Sequence, residues 1–439
     1  MGPCFGIMFS KFLLEMETPS AMVAWIYNSE NFIWSISVLL MSPMVKMLGF
    51  RKLVFAGGLL SSLGMGISAF APSASFLVFS YSLIAGFGHG MSCLGMTVII
   101  PQYFKRRRGR AYAVMNAGVC TGQMLGPILI SHLLQEYGFT GAVLIVAAML
   151  LNICVAACVF QPVEWHTTRQ KADRNTMNDH PLDNDSASGC GVTLLRTIRT
   201  LVSSFRMLAS LRLLIIVMGA SLNMSGYLTF FSMLPFIMAD DGYSHEEVSW
   251  CMSVSGVCNL VTRVVATTLA DWPRFSKRGC FMAGTATIAL SVSVSTVVRE
   301  VWAMAVVAGV WGCGVGAYIS ILSLLMLDYL DLENFAPAFG INSFMNGVWI
   351  LAFGAVFGVI RDVSGSYVVS LWVLASCMFI TFILWIFMPA AVAYDKRKEA
   401  QQMDAQQKKA HLQEAQPKED QKQSAQQQQQ QQQQSQQQQ

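Results

Sequence analysis

An arginine interrupts a long apolar segment of this sequence. Arg263 lies in the run VSWCMSVSGVCNLVTRVVATTLAD, where Asp271 at the end is the other charged residue. A permanent charge near the middle of a membrane span costs at least about 2.5–3.5 kcal/mol unless it faces water or a partner. A guanidinium binds a carboxylate through two parallel hydrogen bonds, which makes Arg263 a candidate for carboxylate binding. The alternative is a structural ion pair with an internal acid.

Asn259 lies four residues before Arg263, one helical turn away. Side chains at this spacing share one face of a helix. We therefore expect Asn259 to orient the guanidinium or to contact the same ligand.

One acidic residue lies well inside an apolar segment. Glu30 occurs in AWIYNSENFIWSISVLL, with Asn28 and Asn31 beside it. It lies about seven residues, or roughly 10 Å, below the outer end of its predicted helix. Its carboxyl group could be neutral through desolvation or paired with Arg263. It could also serve as a proton carrier. The alternative is that Glu30 reaches the outer membrane interface, and the sequence leaves both open.

Six further polar side chains lie within apolar segments. Such residues normally join helices through hydrogen bonds of about 0.6 kcal/mol each. Helix packing is therefore the more typical role for each of them, although we include Asn116 among the candidate binding residues. They are His89, Asn116, Gln123, Asn223, Asn342 and Asn346.

Short charged turns separate several apolar segments. Nucleic-acid binding by the most basic turn is excluded because two apolar segments flank it closely. We interpret these residues as topology anchors, helix clamps and gating residues, and Asp362 is a further candidate near the end of a later segment. The turns contain Arg51, then Arg106, Arg107 and Arg108, and then Asp271 and Arg278.

The composition explains which elements must position these residues. Hydrophobic residues make up 54% of the chain and charged residues 12%, compared with about 25% charged in ordinary soluble domains. A helical span needs about 20 mostly apolar residues. Eleven segments qualify, at approximately 23–46, 53–72, 76–101, 110–133, 139–161, 212–238, 246–270, 279–298, 301–327, 335–360 and 367–390. A twelfth, at 1–14, is too short to cross.

The basic residues predict how these spans are oriented. Lys and Arg residues concentrate in every second connection between spans, at 46–52, 105–110, 169–212 and 274–278. The connections on the opposite side of the membrane contain Lys11, Arg299 and Arg361. Because basic loops stay in the cytoplasm, we expect these loops and both termini to be cytoplasmic.

An internal repeat indicates two six-helix halves. Landmarks recur about 226 residues apart, such as Val23-Ala24-Trp25 with Val248-Ser249-Trp250, and Lys52 with Arg278. Parallel halves around a midplane cavity are typical of alternating access. The expected organisation is an N-terminal half (1–161), a cytoplasmic linker (162–208), a C-terminal half (209–390) and a disordered, Gln-rich cytoplasmic tail (391–439). The stretch 208–225 has no counterpart at the N-terminus, so we expect an incomplete first helix, through a wrong start or a real truncation.

The sequence offers no motif for a cofactor or for catalysis. The eleven cysteines include no CxxC pair, which disfavours a zinc site. We find no nucleotide-binding loop, metal cluster or hydrolase triad. We therefore expect no cofactor, no metal and no enzymatic activity.

Three stretches resemble a known family. YFKRRRGRAYAVMNAGVCTG resembles the signature loop of the monocarboxylate transporter family, within the major facilitator superfamily. MLPFIMADDGYSHEEVSWCMSVSGVCNLVTR resembles the family's spans seven and eight, and LENFAPAFGINSFMNGVWILAFGAVFGVIRDVSGSYVVS resembles its last two. The resemblance implies an all-α membrane protein of twelve helices in the plasma membrane. It also implies a small organic-acid substrate, protons as a coupling partner and a single-span accessory glycoprotein.

Two departures from the family bear on mechanism. Proton-coupled members use a lysine on span one, where this chain has Pro3, and an aspartate on span eight, where it has Asn259. The resemblance therefore implies an altered proton relay. Three functions stay open: a monocarboxylate transporter, an uncoupled facilitator of amino-acid-like or aromatic substrates, and a non-transporting membrane interaction protein.

Overall fold

The computed structural model describes residues 2–18, 20–104, 107–160, 202, 205–364, 366–401 and 403–404, and these contain helices and no strand. The first set of helices is α1 (Gly2–Glu15), α2 (Ser20–Leu48), α3 (Phe50–Ser68), α4 (Ala74–Tyr103), α5 (Arg108–Leu150) and α6 (Asn152–Val159). The second set is α7 (Leu211–Asp240), α8 (His245–Leu269), α9 (Lys277–Ser295), α10 (Val301–Tyr329), α11 (Leu332–Ser364) and α12 (Tyr367–Ile386). The predicted all-α fold is confirmed.

The predicted spans all coincide with helices. Eight helical stretches of the described part are long and apolar enough to cross a membrane. One of these, Arg108–Val159, contains two predicted spans, which meet at Gly138. Gly138 has a φ of 66°, a conformation that glycine adopts readily and that ends the helical path there. Helices α1, α2 and α9 are not among the eight.

Helix α1 is short and packs inside the bundle, as the sequence predicts. Its 14 residues extend about 21 Å, less than the roughly 30 Å of a hydrocarbon core. Phe5, Phe9 and Leu13 are buried. The ring of Phe9 lies 5.2 Å from that of Tyr81 in α4, so α1 contributes to the core of the first set.

Polar caps fix where two helices of the second set, α8 and α9, begin. The Ser244 hydroxyl accepts a bond from the Glu247 amide, and the Glu247 carboxylate accepts one from the Ser244 amide at 2.8 Å. This reciprocal capping box satisfies two amides at the start of α8. At the start of α9, the Ser276 hydroxyl accepts a bond from the Gly279 amide at 3.1 Å.

Small residues allow helices to pack closely, both within and between the two sets. A Cβ at Gly88 of α4 would lie 2.5 Å from the Ser61 nitrogen of α3. Between the sets, α2 packs along α11 and α5 packs along α8. A Cβ at Gly347 of α11 would meet the Ser35 side chain of α2 at 2.7 Å. These two glycines therefore let neighbouring helices approach closely.

The chain divides into two compact units: residues 1–209 with 213–386, and residues 210–212 with 387–439. In the second unit, residues 388–401 are helical. The Asp395 carboxylate accepts bonds from the Ser210 hydroxyl at 2.6 Å and from the amides of Leu211 and Arg212 at 3.1 and 2.9 Å. Burial acts to raise the pKa of Asp395, but these bonds lower it below its ordinary value.

This helix corrects the predicted start of the disordered tail at 391. A glutamine-rich composition predicts disorder, but the anchoring of Asp395 at the first residues of α7 fixes the beginning of the tail. The rest of the predicted tail, 405–439, and the linker stretch 161–201 lie outside the described residues. The predicted domain bounds stay predictions.

Candidate functional site

Arg263 is held in one orientation by its own helix. The side chain is buried, with 5% of the residue exposed. Its Nε donates a hydrogen bond to the Asn259 Oδ1 at 2.9 Å, one turn earlier on α8. The expected orienting role of Asn259 therefore matches the observed geometry. A Cβ at Gly316 of α10 would lie 2.7 Å from the Asn259 carbonyl oxygen, so α10 packs directly behind this turn.

The position of Arg263 along its helix differs from the expected one. It lies six residues before Leu269, the last residue of α8, which is about 9 Å from that end. The sequence placed it near the middle of the span. The predicted span, 246–270, and α8 agree to within one residue at each end, so residue 263 lies past the midpoint of both.

Residues from both sets of helices surround Arg263. Tyr227 of α7 interacts electrostatically with Arg263, with Tyr27 of α2 and with Cys120 of α5. The Tyr227 ring also lies 6.4 Å from Trp311 of α10. Tyr227 of α7 therefore lies near Arg263, and the same tyrosine lies near α2 and α5 of the first set.

Sequence analysis did not identify the two tyrosines of this site. Tyr27 belongs to the polar run Tyr27 to Asn31, and Tyr227 follows the polar residues Asn223 and Ser225. Those polar runs inside apolar segments were the available signal. Their convergence depends on the packing of α2 against the second set, which the sequence does not specify.

Glu30 is paired with a histidine and not with Arg263. The Glu30 Oε1 lies 3.7 Å from the His89 Nδ1, within α2 and α4 of the first set. No acidic side chain of the described part forms an ion pair with Arg263. Glu30 is 6% exposed, and a Cβ at Gly86 would lie 3.4 Å from its Cγ. Both expectations for Glu30, an Arg263 partner and an interface residue, are corrected.

The other polar positions have different roles. Asn346 of α11 accepts a bond from the Ser225 hydroxyl at 2.7 Å, which is the predicted helix-joining role. The Asn223 side chain and the Asn342 Oδ1 are buried and have no hydrogen-bond partner among the described residues. Asn116 is buried on α5, and Gln123 is exposed, so packing does not explain Gln123.

Asp271 joins the two sets of helices. Its Oδ1 accepts a bond from the Gly109 amide at 2.8 Å, and its Oδ2 accepts one from the Arg110 amide at 3.0 Å. These amides belong to the first turn of α5, where the helix dipole favours a negative charge. A Cβ at Gly109 would overlap the Thr267 carbonyl oxygen of α8. We call this contact the α5–α8 clamp.

Among the remaining charged candidates, Arg108 bonds within its own turn, Arg278 joins α9 to the end of α12, and others lie apart. The Arg108 Nε donates to the Phe104 carbonyl at 3.0 Å, and an Arg278 Nη donates to the Trp385 carbonyl at 2.9 Å. Arg51 and Arg107 are exposed. The side chains of Arg106 and Asp362 lie outside the described residues.

Two cavities mark the surroundings of α8. One of about 240 Å³ is polar and lies beside the α5–α8 clamp, and its lining includes Arg108, Asp271, Lys277 and Asp328. Another of about 420 Å³ follows a different face of α8, between Ser249 and Cys258, and Arg263 does not line it. The described part contains no group of three or more His, Cys, Asp or Glu side chains suited to a metal ion.

Comparison with known proteins identifies relatives across most of the chain. The family model described as the Major Facilitator Superfamily matches residues 4–244 and 213–424. Human monocarboxylate transporter 14 is 22% identical, covering 91% of this chain and 89% of the relative. Zebrafish (Danio rerio) monocarboxylate transporter 12-B is 23% identical, covering 90% and 84%. Mouse (Mus musculus) monocarboxylate transporter 6 is 26% identical, covering 83% and 78%.

Solved structures show the same fold. The proton:xylose symporter XylE superposes with a TM-score of 0.68 at 13% identity, covering 88% of this chain and 92% of that one. The E. coli fucose:proton symporter FucP superposes with a TM-score of 0.59 at 14% identity, covering 88% and 96%. These relatives are transporters and not enzymes. The chain therefore belongs to the major facilitator superfamily, as a multi-pass membrane transporter whose curated relatives are monocarboxylate transporters.

Proposed function

We propose that this protein is a secondary transporter that moves small monocarboxylates or related organic metabolites by alternating access. The observation that carries the proposal is Arg263. It is a buried cation, oriented by Asn259 and without an acidic ion-pair partner among the described residues. Burying an unpaired charge is costly, and a substrate carboxylate would supply the missing partner.

The geometry of the site suits a planar anion. Because Nε is engaged by Asn259, the two terminal nitrogens of the guanidinium are the donors left for a carboxylate. Tyr227 lies near the guanidinium, and Tyr27 lies near Tyr227. In this proposal, the Tyr227 ring would contact the substrate's body beside its carboxylate.

The α5–α8 clamp supports alternating access in this proposal. It joins the two sets of helices through Asp271, which lies about two helical turns beyond Arg263 along the same segment. Breaking it would separate the sets at that end. The basic turns favour a cytoplasmic location for this end and for both termini. The plasma membrane and an accessory single-span glycoprotein stay predictions from the resemblance.

A second candidate function is uncoupled facilitation of amino-acid-like or aromatic substrates. Two observations favour it. Asn259 replaces an acid beside Arg263, and an aromatic group lies next to Tyr227, in which Phe231 stacks on Trp311 with ring centroids 5.9 Å apart. An aromatic body could extend from the guanidinium onto these rings.

Uptake measurements in proteoliposomes test both candidates. We expect the wild-type chain to take up radiolabelled lactate or pyruvate, and Arg263→Lys to reduce the rate at least tenfold because an ammonium loses the planar two-point geometry. Arg263→Leu should be lower still. Uptake of labelled phenylalanine, but of neither monocarboxylate, would favour the second candidate.

The control for this experiment is Arg206→Leu, which removes an exposed arginine. It should transport at the wild-type rate. Near wild-type carboxylate uptake by Arg263→Leu, at equal reconstituted protein, would overturn the role of Arg263.

A further inference from the structure

We propose that Glu30 and His89 together form the proton-binding site that couples substrate movement to a proton gradient. This inference rests on the proposed transport of a carboxylate. It assigns the proton to a pair inside the first set of helices, separate from the anion at Arg263.

The pair is the one ion pair of the described part that is buried within the helix bundle. The 3.7 Å between the Glu30 Oε1 and the His89 Nδ1 is an ion-pair distance when the imidazole is protonated. The other ion pairs of the described part, such as Lys277 with Asp328, include an exposed partner. Close approach of the two helices depends on Gly86, which lies against Glu30.

The pair lies deep in the span. His89 is near the midpoint of the 30-residue stretch Ala74–Tyr103. Burying a lone carboxylate at such a depth is expensive, whereas a carboxylate beside a protonated imidazole carries no net charge as a pair. Loss of that proton leaves one uncompensated negative charge.

His89 is the more accessible member of the pair. Its side chain is 18% exposed, compared with 8% for the Glu30 side chain. Histidine commonly acts as a proton shuttle in proteins. The proton would therefore bind the imidazole, and the imidazolium would neutralise the carboxylate 3.7 Å away.

Few other charged groups face Glu30. Tyr27, one turn earlier on α2, interacts with it electrostatically. Helix α11, which packs along α2, has no charged side chain among those described. In α1 and α3, the charged residues whose side chains the structure describes lie near the helix ends. They are Glu15, Arg51 and Lys52. Among the described residues of the helices that pack against α2, His89 of α4 is therefore the titratable side chain that pairs with Glu30.

Tyr27 and Tyr227 connect the pair to the anion site. Tyr27 interacts electrostatically with Glu30 and with Tyr227, and Tyr227 interacts with Arg263. A carboxylate bound at Arg263 brings a negative charge to this network and favours the proton on the pair. By thermodynamic linkage, the bound proton favours the anion to the same extent. One anion and one proton then cross together without net charge.

The experiment compares two transport modes in proteoliposomes, with labelled pyruvate as the probe. An inward gradient of one pH unit should drive wild-type accumulation up to about tenfold. We expect Glu30→Gln to lose this accumulation and to keep pyruvate exchange at equal pH, because the amide mimics the protonated acid. His89→Gln should also lower accumulation, because it removes the imidazole that would bind the proton beside Glu30.

The matched controls are Glu136→Gln and His132→Gln, which replace exposed residues of α5 and should accumulate pyruvate as the wild type does. Wild-type accumulation by Glu30→Gln, or exchange lost together with accumulation, would overturn the proposal. If the wild-type chain transports no carboxylate, the proposed function fails. Infrared pH titration of the purified chain then tests the pair directly. A protonated-carboxyl band that is unchanged in Glu30→Gln would contradict it.

Discussion

At the scale of single residues, carboxylate binding depends on which group neutralises the charge of the Arg263 guanidinium. Asn259 provides a neutral acceptor at 2.9 Å from the Arg263 Nε, so the cation keeps its full charge for a ligand. An acid at the same position would form an internal ion pair one helical turn away. The side chain at 259 therefore sets the competition between protein and substrate for Arg263.

We predict that Asn259→Asp weakens carboxylate binding at neutral pH. The new carboxylate should occupy the guanidinium and raise the KM for the transported carboxylate about tenfold or more, in line with the 1.5–3 kcal/mol of a charged hydrogen bond. Acidification should reverse the effect because it protonates the aspartate. Initial-rate uptake over a range of pH measures this. Asn259→Ala is the comparison, and its higher KM should not recover at low pH.

The sequence predicts the contact between Arg263 and Asn259 but not the contact between Glu30 and His89. Arg263 and Asn259 lie four residues apart on one helix, so their contact follows from helical geometry alone. Glu30 and His89 are on different helices, and their contact depends on the close packing of α2 and α4 at Gly86. An apolar pattern specifies which residues face inward but not which of them meet. For this reason, the sequence suggested Arg263 as the partner of Glu30.

At the scale of helices, close packing at glycine is a testable requirement. We predict that Gly88→Ala lowers the melting temperature of the purified protein. The added Cβ would lie 2.5 Å from the Ser61 nitrogen, and overpacking of this kind costs about 1–3 kcal/mol. Gly118→Ala is the control, because a Cβ there meets nothing within 4 Å. A thermal unfolding assay in detergent compares them, and equal melting temperatures would contradict the prediction.

The α5–α8 clamp gives a second prediction at this scale. Asp271→Asn removes the charge at the start of α5 and weakens the contact by about 0.5–2 kcal/mol. We expect the clamped end to open more often. In a chain without native cysteines, a maleimide should label Ala270→Cys faster when Asp271→Asn is also present. Ala270 is buried beside the clamp. An unchanged labelling rate would show that the clamp does not control opening.

At the scale of the whole molecule, apolar periodicity predicts nearly all of the helical framework. Every predicted span coincides with a helix, and the short α1 packs where the sequence places it. The exception is the helix at 388–401, where the bonds between Asp395 and the start of α7 outweigh a composition typical of disorder. Composition averages over a segment and does not detect one such anchoring residue.

The orientation of the molecule in the membrane gives the last prediction. The basic turns predict that an epitope tag inserted at 175–190 is accessible to antibody only after the plasma membrane is permeabilised. Staining of permeabilised and intact cells measures this. A tag in the turn after α7, at Gly242, is the opposite control and should stain intact cells. Staining of the 175–190 tag on intact cells would reverse the assigned orientation.

The chemical nature of the α5–α8 clamp also limits how fast the transporter can turn over. A contact that breaks once in every cycle adds its free energy to the barrier for opening. Asp271 is held by backbone amides, at 2.8 and 3.0 Å, and not by a buried arginine. A capping contact of about 1–2 kcal/mol slows opening by roughly 5- to 30-fold. Breaking a buried ion pair costs about 3–5 kcal/mol, which would slow the same step by roughly two to three orders of magnitude or more.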